Sequence, residues 1–323
     1  MKSDLFTDFD ENYDHALIQP PPQVNNSWAD SFANDEKAMS DFPLFVRRER
    51  FRQKQTAIHC HIDFCALLVV RAGRGVRAVN GITSSLARGD IFLMAPGACH
   101  SWRETLDLTV DGVYFQPSLW DQHTWSILLQ MPDLASHLNP SLPTLEPHDH
   151  NDHFGHLSPE PHSRVEAVFK EMREEFNSMK VPLRLSARAR LLTLLIQLAQ
   201  WRENKTLATR PAKGAGIAEV LEFCEANFHR PITNAQLAAM MNFCEAHFRD
   251  VFLQEVGTTP GAYLRHLRLQ HSQKLLADNK MPIADVARMS GFSSATYFGQ
   301  AFQMRFAISP REFRKQNRTA RKG

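Results

Sequence analysis

The sequence predicts an α+β protein with a β-rich front domain and an all-helical C-terminal domain. Three observations favour this fold class: short β-type runs punctuated by turn residues from about 44 to 116, two amphipathic helical stretches after about 160, and an internal repeat of about 50 residues near the C-terminus. The chain has 323 residues, which is longer than a domain that folds around a single hydrophobic core usually is. Two separate cores are therefore expected.

The composition is that of an ordinary globular protein, with 43% hydrophobic and 22% charged residues. No stretch approaches the roughly 18 apolar residues of a membrane span, so no membrane partner is predicted. The first residues, MKSDLFTDFDENYDH, are acidic and lack the basic-then-apolar pattern of a secretory signal. The sequence therefore predicts a cytoplasmic protein.

Charge is distributed unevenly along the chain. Residues 1 to 40 carry 8 acidic and 2 basic side chains, whereas residues 217 to 323 carry 14 Lys and Arg against 9 Asp and Glu. The basic end is the expected binding region for a polyanion, although such an excess also occurs on solvated surfaces.

The front half divides into three predicted parts. Residues 1 to 40 combine acidic residues with a proline run and scattered apolar residues, which predicts a disordered segment. Residues 41 to 160 contain β-rich runs such as CALLVVRA and DIFLMAP between tight turns, which predicts a sandwich or barrel. Its last part, HDHNDHFGH at 148 to 156, is interpreted as a solvated loop, with adventitious metal binding as the alternative.

Two amphipathic helices and a linker follow. Apolar residues recur at spacings of three and four over 162 to 180 and 185 to 203, within a helical region assigned to 161 to 204. The segment KTLATRPAKGAG at 205 to 216 is small and polar and contains Pro and Gly, which predicts a linker. These helices either cover the β domain or provide a dimer interface.

The five cysteines predict neither a disulfide framework nor a structural zinc module. They are odd in number and form no CxxC pair, and the expected compartment is reducing. Buried free thiols usually behave as small hydrophobic groups. The cysteines are Cys60, Cys65, Cys99, Cys224 and Cys244.

The C-terminal domain, residues 217 to 323, contains a repeated pattern. At an offset of 50, aromatic or proline residues coincide four times, and upstream the offset becomes 49. The pairs are Phe248–Phe298, Phe252–Phe302, Pro260–Pro310 and Tyr263–Phe313 at 50, and Ala238–Ala287, Asn242–Gly291 and Phe243–Phe292 at 49. The repeat predicts two copies of one helical unit.

Each copy has the pattern of a helix-turn-helix. Thr233 and Gln236 have capping-box spacing, and Ser294 is an N-cap candidate in the second copy. Asn242 and Gly291 occupy turns that need positive φ, which Gly accepts freely and Asn tolerates. The predicted recognition helices are 244 to 255 and 293 to 304, and the alternative is a generic helical bundle.

The segment IADVARMSGFSSATYFGQAFQMRFAISPREFRK resembles the second helix-turn-helix of the AraC/XylS family of transcription regulators. The resemblance covers about 100 residues and implies two units that enter successive major grooves. It implies double-stranded DNA, a small-molecule effector, a second copy of the chain and RNA polymerase as partners, at the nucleoid. It implies no enzymatic activity, cofactor or metal.

The family pattern also implies which side chains face DNA. Arg249 suits guanine and Gln300 suits adenine through paired hydrogen bonds, whereas Asp250 departs from the basic residue common at its position. Ala307 departs too, because the first copy has Gly257 there. The DNA-facing set is Ala246, Arg249, Asp250, Ser294, Ala295, Thr296, Gly299, Gln300 and Arg305, the last for phosphate.

The β-rich segment resembles the cupin-like sensing domain of the same family and, among sugar-responsive members, the rhamnose regulators. The residues that carry this resemblance are HIDFCALLVVRAGRG and ARGDIFLMAPGACHSW. A cupin-like barrel encloses a pocket that suits a small molecule, such as a sugar or an aromatic acid. The candidate effector-binding residues, chosen by strand position, are His61, Asp63, Arg77, His100, Trp102 and Tyr114.

Two other functions are considered for the front domain. Metal-dependent cupin enzymes use three His and a Glu; His59, His61 and His100 are present, but Ala66 stands where the Glu is expected. A metal or redox sensor built from Cys60, Cys99 and His100 is the other alternative. Either would be attached to the same DNA-binding module.

Overall fold

The computed structural model describes residues 23–32, 35–37, 41–52, 57–79, 82–139, 153–208, 215–278 and 281–320. Its strands are β1 Gln23–Asn26, β2 Leu44–Phe51, β3 Ile58–His61, β4 Cys65–Val79, β5 Ile82–Leu86, β6 Asp90–Met94, β7 Cys99–Phe115 and β8 His153–His156. The front-domain helices are α1 Trp28–Phe32, α2 Gln122–Gln130, α3 Pro132–Leu138, α4 Pro159–Asn177 and α5 Val181–Glu203. The C-terminal helices are α6 Ala215–Asn227, α7 Asn234–Met240, α8 Glu245–Val256, α9 Pro260–Asp278, α10 Ile283–Met289, α11 Ala295–Phe306 and α12 Pro310–Ala320. Across these ranges, every helix is too short or too polar to pass through a bilayer.

The long strands β4 and β7 form the centre of the front-domain sheet. The strand order is β1-β3-β7-β4-β6-β8, with β2 also paired to β7 and β5 to β4. β4 bends at Gly73, whose φ is 78° and where a Cβ would lie 2.3 Å from the Asp107 carbonyl oxygen. The bend lets the first half of β4 pair with β6 and the second half with β5. The sheet thereby curls around a buried interior, as expected for a cupin-like domain.

Helices α4 and α5 cover the sheet with the faces that the sequence predicts. On α4, Val165, Phe169, Met172 and Phe176 are all buried. On α5 the buried residues include Leu191, Leu194, Leu195 and Leu198. These side chains join the sheet residues in one hydrophobic core.

The predicted disorder of residues 1 to 40 is wrong for the part that the structure describes. β1 pairs with β3, and Phe32 is 1% exposed, with its ring 4.5 Å from that of Phe45. Trp28 and Phe32 lie one helical turn apart and pack onto the sheet together. The prediction failed because the partners of these isolated aromatics are distant in sequence.

The histidine-rich segment and the linker also differ from the predictions. His153 to His156 form β8 rather than a loop, and the buried Nδ1 of His156 lies 2.7 Å from Asp90 Oδ1; His148 and His150 lie outside the described residues. Within the predicted linker, Leu207 and Ala208 are buried, and Ala208 exchanges backbone hydrogen bonds with His156. A short edge strand therefore uses residues whose composition is typical of loops.

Cys60 and Cys99 form a disulfide, contrary to the sequence prediction. The two residues are separated by 39 positions but lie opposite each other in the ladder between β3 and β7. Cysteine number and spacing cannot reveal such a pair, because strand register brings it together. Of the other three cysteines, Cys65 and Cys224 are buried and Cys244 is exposed.

The helical domain has the predicted repeat. Thr233 and Gln236 form a complete capping box, and Asn242 and Gly291 both have positive φ in the two turns. The aromatic pairs of the repeat point inward into two separate cores, one in each helix-turn-helix, and α9 contributes to both. Ala307 ends α11 in the left-handed conformation at φ 60°, where Gly257 ends α8 at φ 70°.

Candidate functional site

Five of the six predicted effector-binding residues lie together inside the curled sheet. His61, Arg77, His100, Trp102 and Tyr114 are each no more than 5% exposed. They come from β3, β4 and β7, three strands that are neighbours in the sheet. We call these five residues the interior cluster.

The interior cluster is compact and aromatic. The ring centres of His61 and His100 are 5.1 Å apart, and those of His100 and Trp102 are 4.9 Å apart. The Tyr114 ring lies 6.2 Å from that of His61. The Arg77 guanidinium stacks over the Phe92 ring at 4.4 Å. Polar nitrogen atoms therefore face a wall of aromatic carbon.

Burial keeps both histidines of the interior cluster neutral. Desolvation, with smaller contributions from nearby His59 and Arg77, lowers the pKa of His61 to about 3, and it holds the pKa of His100 well below its usual value. A neutral imidazole carries one hydrogen-bond donor and one acceptor. Both Nδ1 atoms are buried without a hydrogen-bond partner in the described structure. Buried polar atoms normally have partners, so these positions suit a bound ligand or ordered water.

Asp63, the sixth predicted residue, is exposed and lies outside the interior cluster. Its Oδ1 accepts a hydrogen bond of 2.6 Å from the Trp28 backbone N–H, and its Oδ2 accepts one of 3.0 Å from Gln116 Nε2. Asp63 therefore anchors the start of α1. Strand alternation predicted the wrong side because Asp63 lies in the turn between β3 and β4.

Arg47 and Phe64 also contribute to this site and were not predicted. The Arg47 guanidinium lies 4.7 Å from the Tyr114 ring centre, and the Phe64 ring stacks on that of His61 at 4.6 Å. The alternation along β2, in which Phe45 and Arg47 share a face, is the sequence signal that points to Arg47. Phe64 lies in a turn and gives no comparable signal.

Of the residues considered for a metal-dependent enzyme, the three histidines lie close together, with the His100 ring centre 6.4 Å from that of His59 and 5.1 Å from that of His61. However, the Asn26 side chain bonds His59 Nδ1 at 3.2 Å, and the buried Ala66 offers no ligand atom where the Glu is expected. Among the described residues, no group of three or more His, Cys, Asp or Glu side chains is arranged to hold a metal ion. The geometry therefore does not favour the metal alternative.

The DNA-facing residues of the first unit lie on the exposed face of α8. Ala246, Arg249 and Asp250 are all exposed, whereas Phe248 and Phe252 on the opposite face are fully buried. Burial of the aromatic face determines which side chains reach solvent. The helix begins one residue later than predicted.

The second set lies at the start and outer face of α11. Ala295, Thr296 and Gln300 are exposed, and Gly299 is partly exposed. The Ser294 hydroxyl accepts a hydrogen bond of 3.1 Å from the Tyr297 backbone N–H, so it caps the helix. Met304, which the family pattern did not indicate, is 89% exposed on the same helix.

Arg305 faces the front domain as well as solvent. Its Nη2 lies 3.8 Å from Glu160 Oε1, at the start of α4. A cleft of about 690 Å³ lies beside this pair, and Trp201, Arg265 and Gln300 are among its lining residues. Glu160 of the front domain therefore lies beside Arg305, which the family pattern assigns to a DNA phosphate.

A ligand-binding sheet domain joined to paired helix-turn-helix units defines an effector-responsive DNA-binding regulator. Similarity to known protein families supports this class. Residues 41–198 match the AraC-like ligand binding domain family, and residues 237–316 match a helix-turn-helix domain family. The chain belongs to the AraC family of transcription regulators.

Two relatives align with this chain over most of their own length. The HTH-type transcriptional activator RhaR of Enterobacter sp. (strain 638) is 25% identical over 293 residues, which cover 90% of this chain and 96% of that protein. RhaR of Cronobacter sakazakii is 24% identical and covers 84% of this chain and 91% of that protein. Among solved structures, an AraC-type regulator from Chromobacterium violaceum is 29% identical with a TM-score of 0.30, and covers 32% of this chain and 91% of that one.

Proposed function

We propose that the interior cluster is the effector site of this regulator and that an uncharged, hydroxyl-rich small molecule such as a sugar binds there. The observation that carries the proposal is the pair of buried, unpartnered Nδ1 atoms of His61 and His100 beside the Trp102 ring. Neutral imidazoles both donate to and accept from hydroxyl groups, and an aromatic ring packs against the apolar face of a sugar. The similarity to RhaR activators supports the same class of ligand.

Thermal shift and calorimetry with a panel of pentoses, hexoses and deoxyhexoses test the effector site. We expect one class of sugar to raise the melting temperature, and His100→Ala and Trp102→Ala to abolish the shift. His123→Ala is the matched control, because His123 is exposed on α2. Binding of aromatic carboxylates instead of sugars, or unchanged binding in both variants, would overturn the assignment.

The proposed role is binding without catalysis. After incubation with the full chain, the bound sugar should be recovered chemically unchanged by mass spectrometry. A time-dependent product would point to an enzyme.

We propose further that α8 and α11 enter successive major grooves, whose positions on one face of B-DNA recur about every 34 Å. Arg249 would read guanine and Gln300 adenine through paired hydrogen bonds. The exposure of both side chains, with buried aromatic residues on the opposite faces of their helices, supports these roles. Effector binding regulates only if the ligand favours one arrangement of the two domains over the other.

Genome-wide mapping of bound DNA provides the operator, and binding assays on it test the base readers. Arg249→Ala and Gln300→Ala should each weaken specific binding by about 1 to 3 kcal/mol and relax base preference at one position. Arg50→Ala and Gln122→Ala remove the same side-chain types from exposed positions of the front domain and should have no effect. Equal losses on specific and random DNA would show that the two residues contact phosphate instead.

A homodimer through α5 completes the proposal, with RNA polymerase as the partner at promoters and the cytoplasmic nucleoid as the location. Val181, Leu183 and Leu185 are exposed apolar residues at the start of α5. Leu185→Glu should convert a dimer to monomers in sedimentation velocity, and Glu203→Gln, at the far end of the helix, should not. A monomeric wild-type protein would exclude this interface.

A further inference from the structure

The disulfide between Cys60 and Cys99 joins two strands that carry the histidines of the interior cluster. Cys60 directly precedes His61 on β3, and Cys99 directly precedes His100 on β7. Successive residues of a strand point to opposite faces, so the cysteines and the two histidines lie back to back across the same strand pair. A change at the sulfur atoms therefore acts within one residue of each imidazole.

The attachment of β3 to the rest of the sheet is short. Its ladder with β7 consists of two residue pairs, His59 with His100 and Cys60 with Cys99. One of these two pairs is the covalent link. Beyond this ladder, the His61 backbone N–H donates to the Ala98 carbonyl, and the His61 carbonyl accepts from the Gly97 N–H. Loss of the disulfide would leave β3 attached by these backbone hydrogen bonds and the His59–His100 pair, and such short attachments are typical of segments that open locally.

The N-terminal segment depends on β3 in turn. β1 pairs with β3 over four residues, and α1 follows β1 directly. From α1, the Phe32 ring lies 5.3 Å from that of Tyr114, and Trp28 lies 6.0 Å from Phe64. α1 therefore covers one side of the interior cluster and is held there through β1 and β3; we call β1, β3 and α1 the cover segment.

We propose that Cys60 and Cys99 form a reversible redox site whose state sets how firmly the cover segment closes over the interior cluster. A DNA-binding regulator works where small thiols keep most cysteines reduced, and disulfides found there are usually transient and regulatory. The effect on effector binding rests on the proposed function, whereas the redox site itself does not.

Thiol–disulfide exchange with a small disulfide, such as oxidised glutathione, supplies the chemistry. Cys99 is the more accessible of the two cysteines, and its thiolate attacks the small disulfide and releases one reduced thiol. The Cys60 thiolate then attacks Cys99 Sγ of the mixed disulfide and releases the second thiol. The protein loses two electrons and two protons, and the small disulfide becomes two thiols; excess thiol reverses both steps.

The other cysteines provide internal controls. Burial raises the pKa of the Cys65 thiol, and it raises that of Cys224 to about 12, so both remain unreactive thiols. Cys244 is exposed on the helical domain and is free. Oxidation of the proposed pair should therefore be distinguishable from general oxidation.

The test equilibrates the full chain in glutathione mixtures from fully reduced to fully oxidised, followed by acid quench and alkylation under denaturing conditions. Mass spectrometry should show Cys60 and Cys99 losing alkylation together, with a midpoint inside the range, while Cys65 remains alkylated throughout. Cys244→Ser should leave this transition unchanged. Free Cys60 and Cys99 in the most oxidising mixture, or a disulfide that resists the most reducing one, would overturn the proposal.

Hydrogen exchange of the same samples tests the structural consequence. Reduction should raise exchange at 23–32 and 58–61 at least tenfold and leave α10 and α11 unchanged. Cys60→Ser should show the fast exchange in every mixture, and reduced wild-type protein provides the same state if this variant does not fold. Equal protection in both redox states would contradict the cover-segment role. Neither the alkylation nor the hydrogen-exchange measurement needs an effector. Failure of the redox proposal would therefore not decide the sugar-binding proposal.

Discussion

The two domains place their functional residues in opposite ways. In the front domain the candidate ligand groups are buried, and five residues from three strands converge inside the sheet. In the helical domain the candidate DNA groups are exposed, and buried aromatics on the opposite helix faces orient them. The difference follows from the size of the ligand. A small molecule binds inside the protein, whereas a DNA duplex binds to its surface. The front domain is therefore expected to respond to changes in its interior, and the helical domain to changes in its surface charge.

The largest expected effect is the unfolding of one helix-turn-helix unit while the other stays folded. Phe298 is fully buried in the core of the second helix-turn-helix, which is separate from that of the first. Phe298→Ala should cost about 3 to 5 kcal/mol of unfolding free energy. Hydrogen exchange should show lost protection in α10 and α11 and retained protection in the front domain. Gln303→Ala, at an exposed position of α11, should change stability by no more than about 0.5 kcal/mol.

Acidification should destabilise the front domain more steeply than the helical domain, in which burial lowers the pKa of His266 to about 4 and also lowers that of His271. Burial lowers the pKa of His61, His100 and His162, so the folded state keeps these groups neutral. Below about pH 6.5 the unfolded chain binds protons that the folded chain does not, and stability falls by about 1.4 kcal/mol per pH unit for each histidine. Above that pH the contribution is constant. The loss contributed by His61 continues down to its folded pKa of about 3.

Denaturant unfolding between pH 7 and pH 5 measures this slope. His100→Gln should reduce the slope, whereas His123→Gln, at an exposed position, should leave it unchanged. If His100→Gln has the same slope as the wild type, the buried neutral histidines do not control the acid sensitivity of the front domain.

A substitution at the end of α11 is expected to stabilise the protein, by less than the preceding changes destabilise it. Ala307 is held at φ 60°, a conformation that costs a residue with a Cβ about 1 to 2 kcal/mol. Ala307→Gly should therefore stabilise the second unit by up to about 1 kcal/mol. Gly257→Ala is the reverse experiment in the first unit, because the added Cβ would meet only ordinary contacts, the nearest at 3.5 Å. Chemical denaturation should give changes of opposite sign, and changes of the same sign would contradict backbone strain as the cause.

The smallest expected effect concerns the contact between the two domains. Glu160 lies 3.8 Å from Arg305, and both side chains are partly exposed, so the pair contributes at most about 1 kcal/mol. Glu160→Gln should free Arg305 for phosphate and raise DNA affinity by up to about fivefold, in low salt more than in high salt. Glu174→Gln removes the same charge further along α4. Equal gains in both variants would show a net-charge effect only.

Local signals in the sequence predict the structure most accurately. The capping box at Thr233, the positive φ of Asn242 and the inward aromatics of the repeat all depend on residues a few positions apart. Contacts between segments that are distant in the sequence are predicted least accurately. The contact of Phe32 with Phe45 and the anchoring of Trp28 by Asp63 join segments that no periodicity connects.

The candidate site shows the same division. Strand alternation identified five members of the interior cluster, because period-two patterning sets the face of each residue. Asp63 and Phe64 lie in a turn, where side chains follow no such period. Strand alternation therefore wrongly predicted that Asp63 faces the interior, and it gave no signal for Phe64. His153 to His156 became an edge strand because β6 was available to pair with them.

The amino-acid sequence by itself determined the two-domain organisation, the duplicated helical unit and the chemistry available to each domain, because short-range periodicity and residue type carry that information. The tertiary structure alone decided the pairing of Cys60 with Cys99, the cover over the interior cluster and the contact between Glu160 and Arg305. These features depend on strand register and domain packing, which bring together residues that are between 35 and 150 positions apart in the chain.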